Sequence, residues 1–133
     1  MAENNIFARI VRGEIPCHKV WEDERHLAFL DIRPVQPGHT LVIPKADGDY
    51  LFDLEPQRYG ELMQAVRTVA RLLKERTGCQ RVVEVVLGYE VPHVHVHLIP
   101  TNSMGDLPPI AGTPANPADL VAMVARLRQG TGQ

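Results

Sequence analysis

Cysteine, aromatic residues, net charge and long apolar runs are all scarce in this chain. Cys17 and Cys79 are its only cysteines. They are too few for a disulfide framework and too far apart for a Cys-x-x-Cys site, so two reduced thiols in a cytoplasmic protein are expected. With 14 Lys+Arg against 16 Asp+Glu the net charge is -2, and no overall positive field exists to attract a polyanion. Nucleic acid is therefore not an expected partner. No stretch approaches the ~18–20 apolar residues of a membrane span, and the opening "MAENNIFARIVRGEIP" lacks the basic-then-apolar layout of a secretory signal. No membrane partner is expected either.

What is present is ordinary globular material, 44% apolar and 23% charged over 133 residues, enough for one domain spanning 1–133 whose C-terminal loop and helix occupy about 101–133. Asn4 or Asn5 can cap a short helix carrying Ile6, Phe7, Ile10 and Val11 and ending at Gly13. "HKVWED" and "RHLAFLDI" read as a hairpin turned at Glu-Asp-Glu-Arg. A Pro37-Gly38 turn precedes Thr40 to Ile43, an apolar run suited to a buried strand that Pro44 ends. Leu62, Val66, Val69 and Leu73 form one apolar stripe, predicting a long helix from Pro56 to Thr77 stopped by Gly78. "QRVVEVVLG" and "PHVHVHLIP" read as antiparallel neighbours separated by a few residues around Gly88, and a last helix is expected from Pro117 to Arg128. The order of elements predicts an α+β protein, a mostly antiparallel sheet with helices on it.

Three of the six histidines stand at alternate positions, His93, His95 and His97. In a strand they share one face with Val91 and Ile99 while Val94, Val96 and Leu98 share the other. Clustering and partial burial both favour the neutral form near pH 7. Two chemistries use such a row. Alternate histidines can converge on zinc and leave a fourth position for water. Alternatively the middle imidazole acts as a nucleophile while its neighbours hold its tautomer and bind the developing negative charge.

"HVHVHLI", together with "NNIFARIVRGEIPCHKVWEDERHLAFLDIRPVQPGHTLVIPKAD", resembles the histidine triad (HIT) superfamily and, within it, the Hint-like branch. The resemblance covers most of residues 5 to 100. It implies a five-stranded, mainly antiparallel sheet with packed helices, a homodimer, and a small-molecule nucleotide substrate attacked at the α-phosphate. His95 would be the nucleophile and form a nucleotidyl-histidine, His97 would bind phosphate oxygens, His93 would orient the nucleophile, and His39 would be the fourth histidine. Asp31 would accept hydrogen bonds from both ribose hydroxyls, and Ile6, Phe7, Ile10, Phe29 and Ile32 would line the base pocket. The expected activity is hydrolysis or transfer on purine nucleoside phosphoramidates or related conjugates. The alternatives are a dinucleoside polyphosphate hydrolase and a non-catalytic nucleotide-binding protein.

The chain departs from the family in two places. Many members bind structural zinc through Cys-x-x-Cys and a later histidine, but the matching positions here are Asn5, Ala8 and Asp47. No metal and no other cofactor is expected. "VVLGYEVPH" places Tyr89 where the family has glutamine and Glu90 where Hint-type proteins often have serine. Glu90 is thus a substrate-site residue that is turned away, bonded to a histidine, or tied to a changed leaving group.

Overall fold

A computed structural model describes residues 5–130; Asn4, one of the two expected caps, lies outside them. The first helix, α1 (Ile6–Val11), is capped by Asn5, whose side chain accepts from the Ala8 N–H. Strands β1 (Lys19–Glu22) and β2 (His26–Leu30) form the expected hairpin, turned where Asp23 Oδ1 accepts the N–H groups of Arg25 and His26. Then come β3 (Thr40–Pro44), α2 (Pro56–Thr77), β4 (Arg81–Val85), β5 (Val96–Thr101) and α3 (Pro117–Arg128). The five strands pair in the order β1-β2-β3-β5-β4, antiparallel throughout. This is the HIT-like α+β fold that the sequence resemblance implied.

The strand alternation divides the core between the two faces of this sheet. On one face Ala28, Val42, Val96 and Leu98 pack against Leu62, Ala65, Val66, Val69 and Leu73 of α2. Pro56 opens that helix without wasting an N–H, and Gly78, at φ +71, closes it in the left-handed conformation that suits glycine. On the other face Leu27, Phe29, Leu41 and Ile43 pack around Phe7 of α1. Because α1 is only 6 residues long, it covers part of this face and leaves the rest as a cleft.

Two expectations are corrected. The link between β4 and β5 is the ten-residue stretch 86–95, and β5 begins at Val96, so His93 and His95 precede the ladder. The reason is a long-range contact: Val94 N–H bonds to the Gly48 carbonyl at 2.7 Å, tying this stretch to the loop after β3 rather than to β4. Strand β3 runs through Pro44 and ends there, as expected. Helix α3 forms over its expected span, yet it buries none of its residues, leaving Leu120, Val121, Val124 and Leu127 exposed. No helix among the described residues is long and apolar enough to cross a membrane.

Candidate active site

Sheet register and one turn bring four histidines together. Leu41 of β3 pairs with His97 of β5, and Phe29 of β2 pairs with Leu41, so His97 continues a row of apolar residues on the α1 face. His39 enters from the turn before β3, where its N–H bonds to the Gln36 carbonyl. Gly38 makes that turn possible. Its φ is +92, and a Cβ there would stand 3.1 Å from Pro100 Cγ. His39, His93, His95 and His97 are all buried, at 3%, 0%, 2% and 7% exposure.

The backbone sets the tautomers of His39, His93 and His95 directly and that of His97 through His39, because an amide N–H can only donate and a carbonyl can only accept. Val35 N–H donates to His39 Nδ1 at 3.0 Å, so the proton of neutral His39 is on Nε2 and is given to His97 Nδ1 at 2.9 Å. His97 must then carry its own proton on Nε2, which it donates to Glu90 Oε1 at 3.0 Å. His93 Nε2–H donates to the Pro44 carbonyl at 2.8 Å. His95 Nδ1–H donates to the His93 carbonyl at 2.7 Å, which leaves Nε2 facing outward. The His93 carbonyl thus holds the His95 ring in this orientation. Burial pushes His39 and His93 below the usual histidine value, against the raising effects of Asp31 on His39 and the Pro44 carbonyl on His93.

A cleft of about 430 Å³ opens beside His95 and His97. Ile6, Phe7, Ile10, Phe29, Asp31, Ile32 and Glu90 all line it, so every residue assigned to the substrate pocket borders one space. Their depth differs. Phe7 and Phe29 are buried and touch edge to face at 5.8 Å, whereas Ile6 and Ile32 stand exposed at the mouth. Cys17, His18, Leu41 and Val91 line the cleft as well and were not foreseen. The alternation of β3 could have found Leu41, which shares a face with Ile43; nothing local marks Cys17 or His18. A wider hollow between the β1–β2 turn and α2, about 850 Å³, is lined by Trp21, Arg25, Gln57 and Glu61. It lies away from the histidine row and contains no comparable cluster.

The carboxylates are divided in function. Asp31 Oδ1 accepts the Arg33 N–H at 2.8 Å and holds the turn, while Oδ2 lies 3.5 Å from His39 Nε2. Glu90 faces inward, with Oε1 3.3 Å from His95 Nε2 as well as 3.0 Å from His97 Nε2. Burial raises its carboxyl, but hydrogen bonds from His97 and His95 outweigh burial and hold it below the ordinary value. Tyr89 projects fully into solvent.

Ligand atoms of Glu90, His95 and His97, and of Asp31, His39 and His97, lie within 4.8 Å of one another. The wiring suits protons better than a cation. His39 Nδ1 is taken by an amide, and a metal at His97 Nε2 would have to expel a proton that the His39–His97 bond places there. The position corresponding to the family's structural zinc is filled by hydrogen bonds. Asn5 Nδ2 lies 3.4 Å from His93 Nδ1 while its Oδ1 caps α1, and His93 Nε2 is committed to Pro44.

An antiparallel sheet bearing a row of buried, tautomer-fixed imidazoles above an apolar cleft with a carboxylate at its rim defines a histidine-triad protein. The family model for the HIT domain matches residues 12–104. Protein hit of Bacillus subtilis (strain 168) is 40% identical over 110 residues, covering 79% of this chain and 76% of that one. The crystal structure of a member of the HIT family of proteins from Bacillus subtilis superposes with a TM-score of 0.83 at 33% identity, covering 96% and 97% of the two chains. Adenosine 5'-monophosphoramidase HNT1 of Saccharomyces cerevisiae is 38% identical over 98 residues, 71% of this chain and 61% of the yeast protein. The chain belongs to the HIT family.

Proposed function

We propose that this protein is a nucleotide hydrolase or transferase that acts at the α-phosphate of purine nucleoside phosphoramidates or related conjugates through a nucleotidyl-histidine on His95. The observation that carries the reading is the commitment of His95 Nδ1–H to the His93 carbonyl, which leaves Nε2 as the one ring atom available to attack phosphorus. His97 Nε2–H, fixed through His39, would donate to a phosphate oxygen. Asp31 would accept from the ribose hydroxyls, and Phe7, Phe29, Ile10, Ile6 and Ile32 would enclose the base. The yeast relative's name as an adenosine 5'-monophosphoramidase supports the same class of substrate.

The reading includes a homodimer. An isolated α3 with Leu120, Val121, Val124 and Leu127 open to water is a poor helix by itself, and a second copy would cover it. Sedimentation of the purified protein as a monomer would remove this part.

Incubation with adenosine phosphoramidate is expected to release adenosine monophosphate and, after a rapid acid quench, to leave a covalent nucleotidyl adduct on His95. Tight binding with neither product nor adduct would identify a nucleotide-binding protein without turnover instead.

A further inference from the structure

Four ring protons in the histidine row are assigned by their bonds, and one position is not. His39, His93 and His97 each have one nitrogen donating and the other accepting. His95 donates from Nδ1, so a neutral ring would turn its Nε2 lone pair towards Glu90 Oε1, 3.3 Å away. Two lone pairs at that distance repel, and a proton between them turns the contact into a charge-assisted hydrogen bond. A bonding contact therefore needs one proton between the two atoms. A nucleophile cannot attack while its attacking atom is protonated.

On the reading of His95 as nucleophile, we propose that Glu90 is the proton carrier of the reaction, taking the Nε2 proton from His95 and delivering it to the leaving group. The groups facing its carboxylate are His95 and His97, with His39 and Asp31 behind them. An arriving phosphate adds negative charge and excludes water, and both effects raise the carboxyl and favour transfer of the proton to it. Glu90 belongs to the 86–95 stretch, and its side chain is 52% exposed, which gives it room to turn from His95 towards a group leaving at the cleft mouth.

The atoms and charges balance. Glu90 accepts the Nε2 proton, and the freed lone pair forms the Nε2–P bond. The P–N bond of the phosphoramidate breaks with its electron pair on nitrogen, and that nitrogen takes the proton from Glu90 and departs as the amine. Water then attacks phosphorus and gives a proton to the Glu90 carboxylate. The Nε2–P bond breaks with its pair returning to Nε2, and Glu90 hands the proton back to His95. The cycle needs no outside acid, and it matters most for leaving groups too basic to depart without a proton.

The test compares the full-length parent with Glu90→Gln on two adenosine 5'-phosphate derivatives, an alkylamine phosphoramidate and a p-nitrophenyl ester whose leaving group departs as the anion. Alkylamine release should fall by about 100- to 10,000-fold. The ester should lose far less, so the ratio of the two rates should shift by at least about 100-fold. Equal losses on both substrates, or no loss on the alkylamine, would overturn the proposal. Quenched labelling of His95 by the ester reports separately on the nucleophile. An unlabelled, inactive parent would sink the function reading and this one with it, whereas a labelled parent with equal losses in the variant would sink the proton carrier alone.

Discussion

Along residues 93–98, one side chain in two points beneath α2 and the next towards the α1 face. Val94, Val96 and Leu98 are 2%, 0% and 1% exposed, and His93, His95 and His97 are 0%, 2% and 7% exposed. Burial is the same, but what it demands differs. The apolar side needs volume and close contact, which many combinations of side chains supply. The imidazole side needs a partner for every ring nitrogen in the right direction, because a buried polar atom without one costs about 1–3 kcal/mol. Substitutions on the first side should therefore register in stability, and substitutions on the second in chemistry.

His95→Ala is the sharpest way to test that division. Loss of the nucleophile is expected to lower kcat on adenosine phosphoramidate on the order of 10⁴-fold or more, with the circular dichroism of the fold preserved. Residual turnover near the parent level would break the comparison by removing chemistry from the imidazole side. Leu62→Ala is its counterpart beneath the sheet, where Leu62 is completely buried. It should cost about 2–5 kcal/mol in denaturant unfolding, while the folded fraction keeps a kcat close to that of the parent.

A smaller effect is expected at the cleft rim. Asp31→Ala should weaken binding of adenosine monophosphate by about 1.5–3 kcal/mol in calorimetry, with a smaller loss for the 2'-deoxynucleotide. Since Asp31 Oδ1 also holds the Arg33 N–H, Asp31→Asn separates the two contributions by keeping that acceptor. Equal affinity in Asp31→Ala would show that the nucleoside sits elsewhere.

The most modest prediction concerns pH. Burial holds His39 and His93 below the usual histidine value, so the unfolded chain takes up protons that the folded chain refuses once pH drops below ~6.5. Their contribution is complete above that value and is lost as pH falls below it. Glu90, also held low, acts in the same direction further down, as pH falls through its folded value. Tm should thus decline between pH 7 and pH 5, and His39→Asn, which keeps an acceptor for Val35 N–H, should flatten the decline. A Tm unchanged or rising on acidification would contradict the assigned tautomers.

Residue order alone was enough to place α1, α2 and α3, the hairpin and the five strands, because those elements answer to short-range rules. Gly78 and Pro56 bound α2 where a left-handed residue and a missing N–H are tolerated, and the Leu62 to Leu73 stripe chose the face it buries. The His-x-His-x-His alternation likewise placed three imidazoles on one side. The start of β5 was not legible, because a bond from Val94 to distant Gly48 moved it. Nor was the exposure of α3, which depends on whether any surface is available to receive its apolar side chains.

What sequence by itself determined was composition of the site: which residue types lie at which spacing, and therefore which family and which candidate nucleophile. Only the tertiary structure decided the direction of every proton. That direction runs from Val35 through His39 and His97 to Glu90, and from His95 to the His93 carbonyl. It also decided that Glu90, which could have pointed away, meets two imidazoles. The physical reason is that periodicity along the chain governs the face on which a side chain lies, whereas a hydrogen bond depends on distance and angle between groups far apart in sequence. Those quantities do not exist until the sheet has brought the turn before β3 alongside β5.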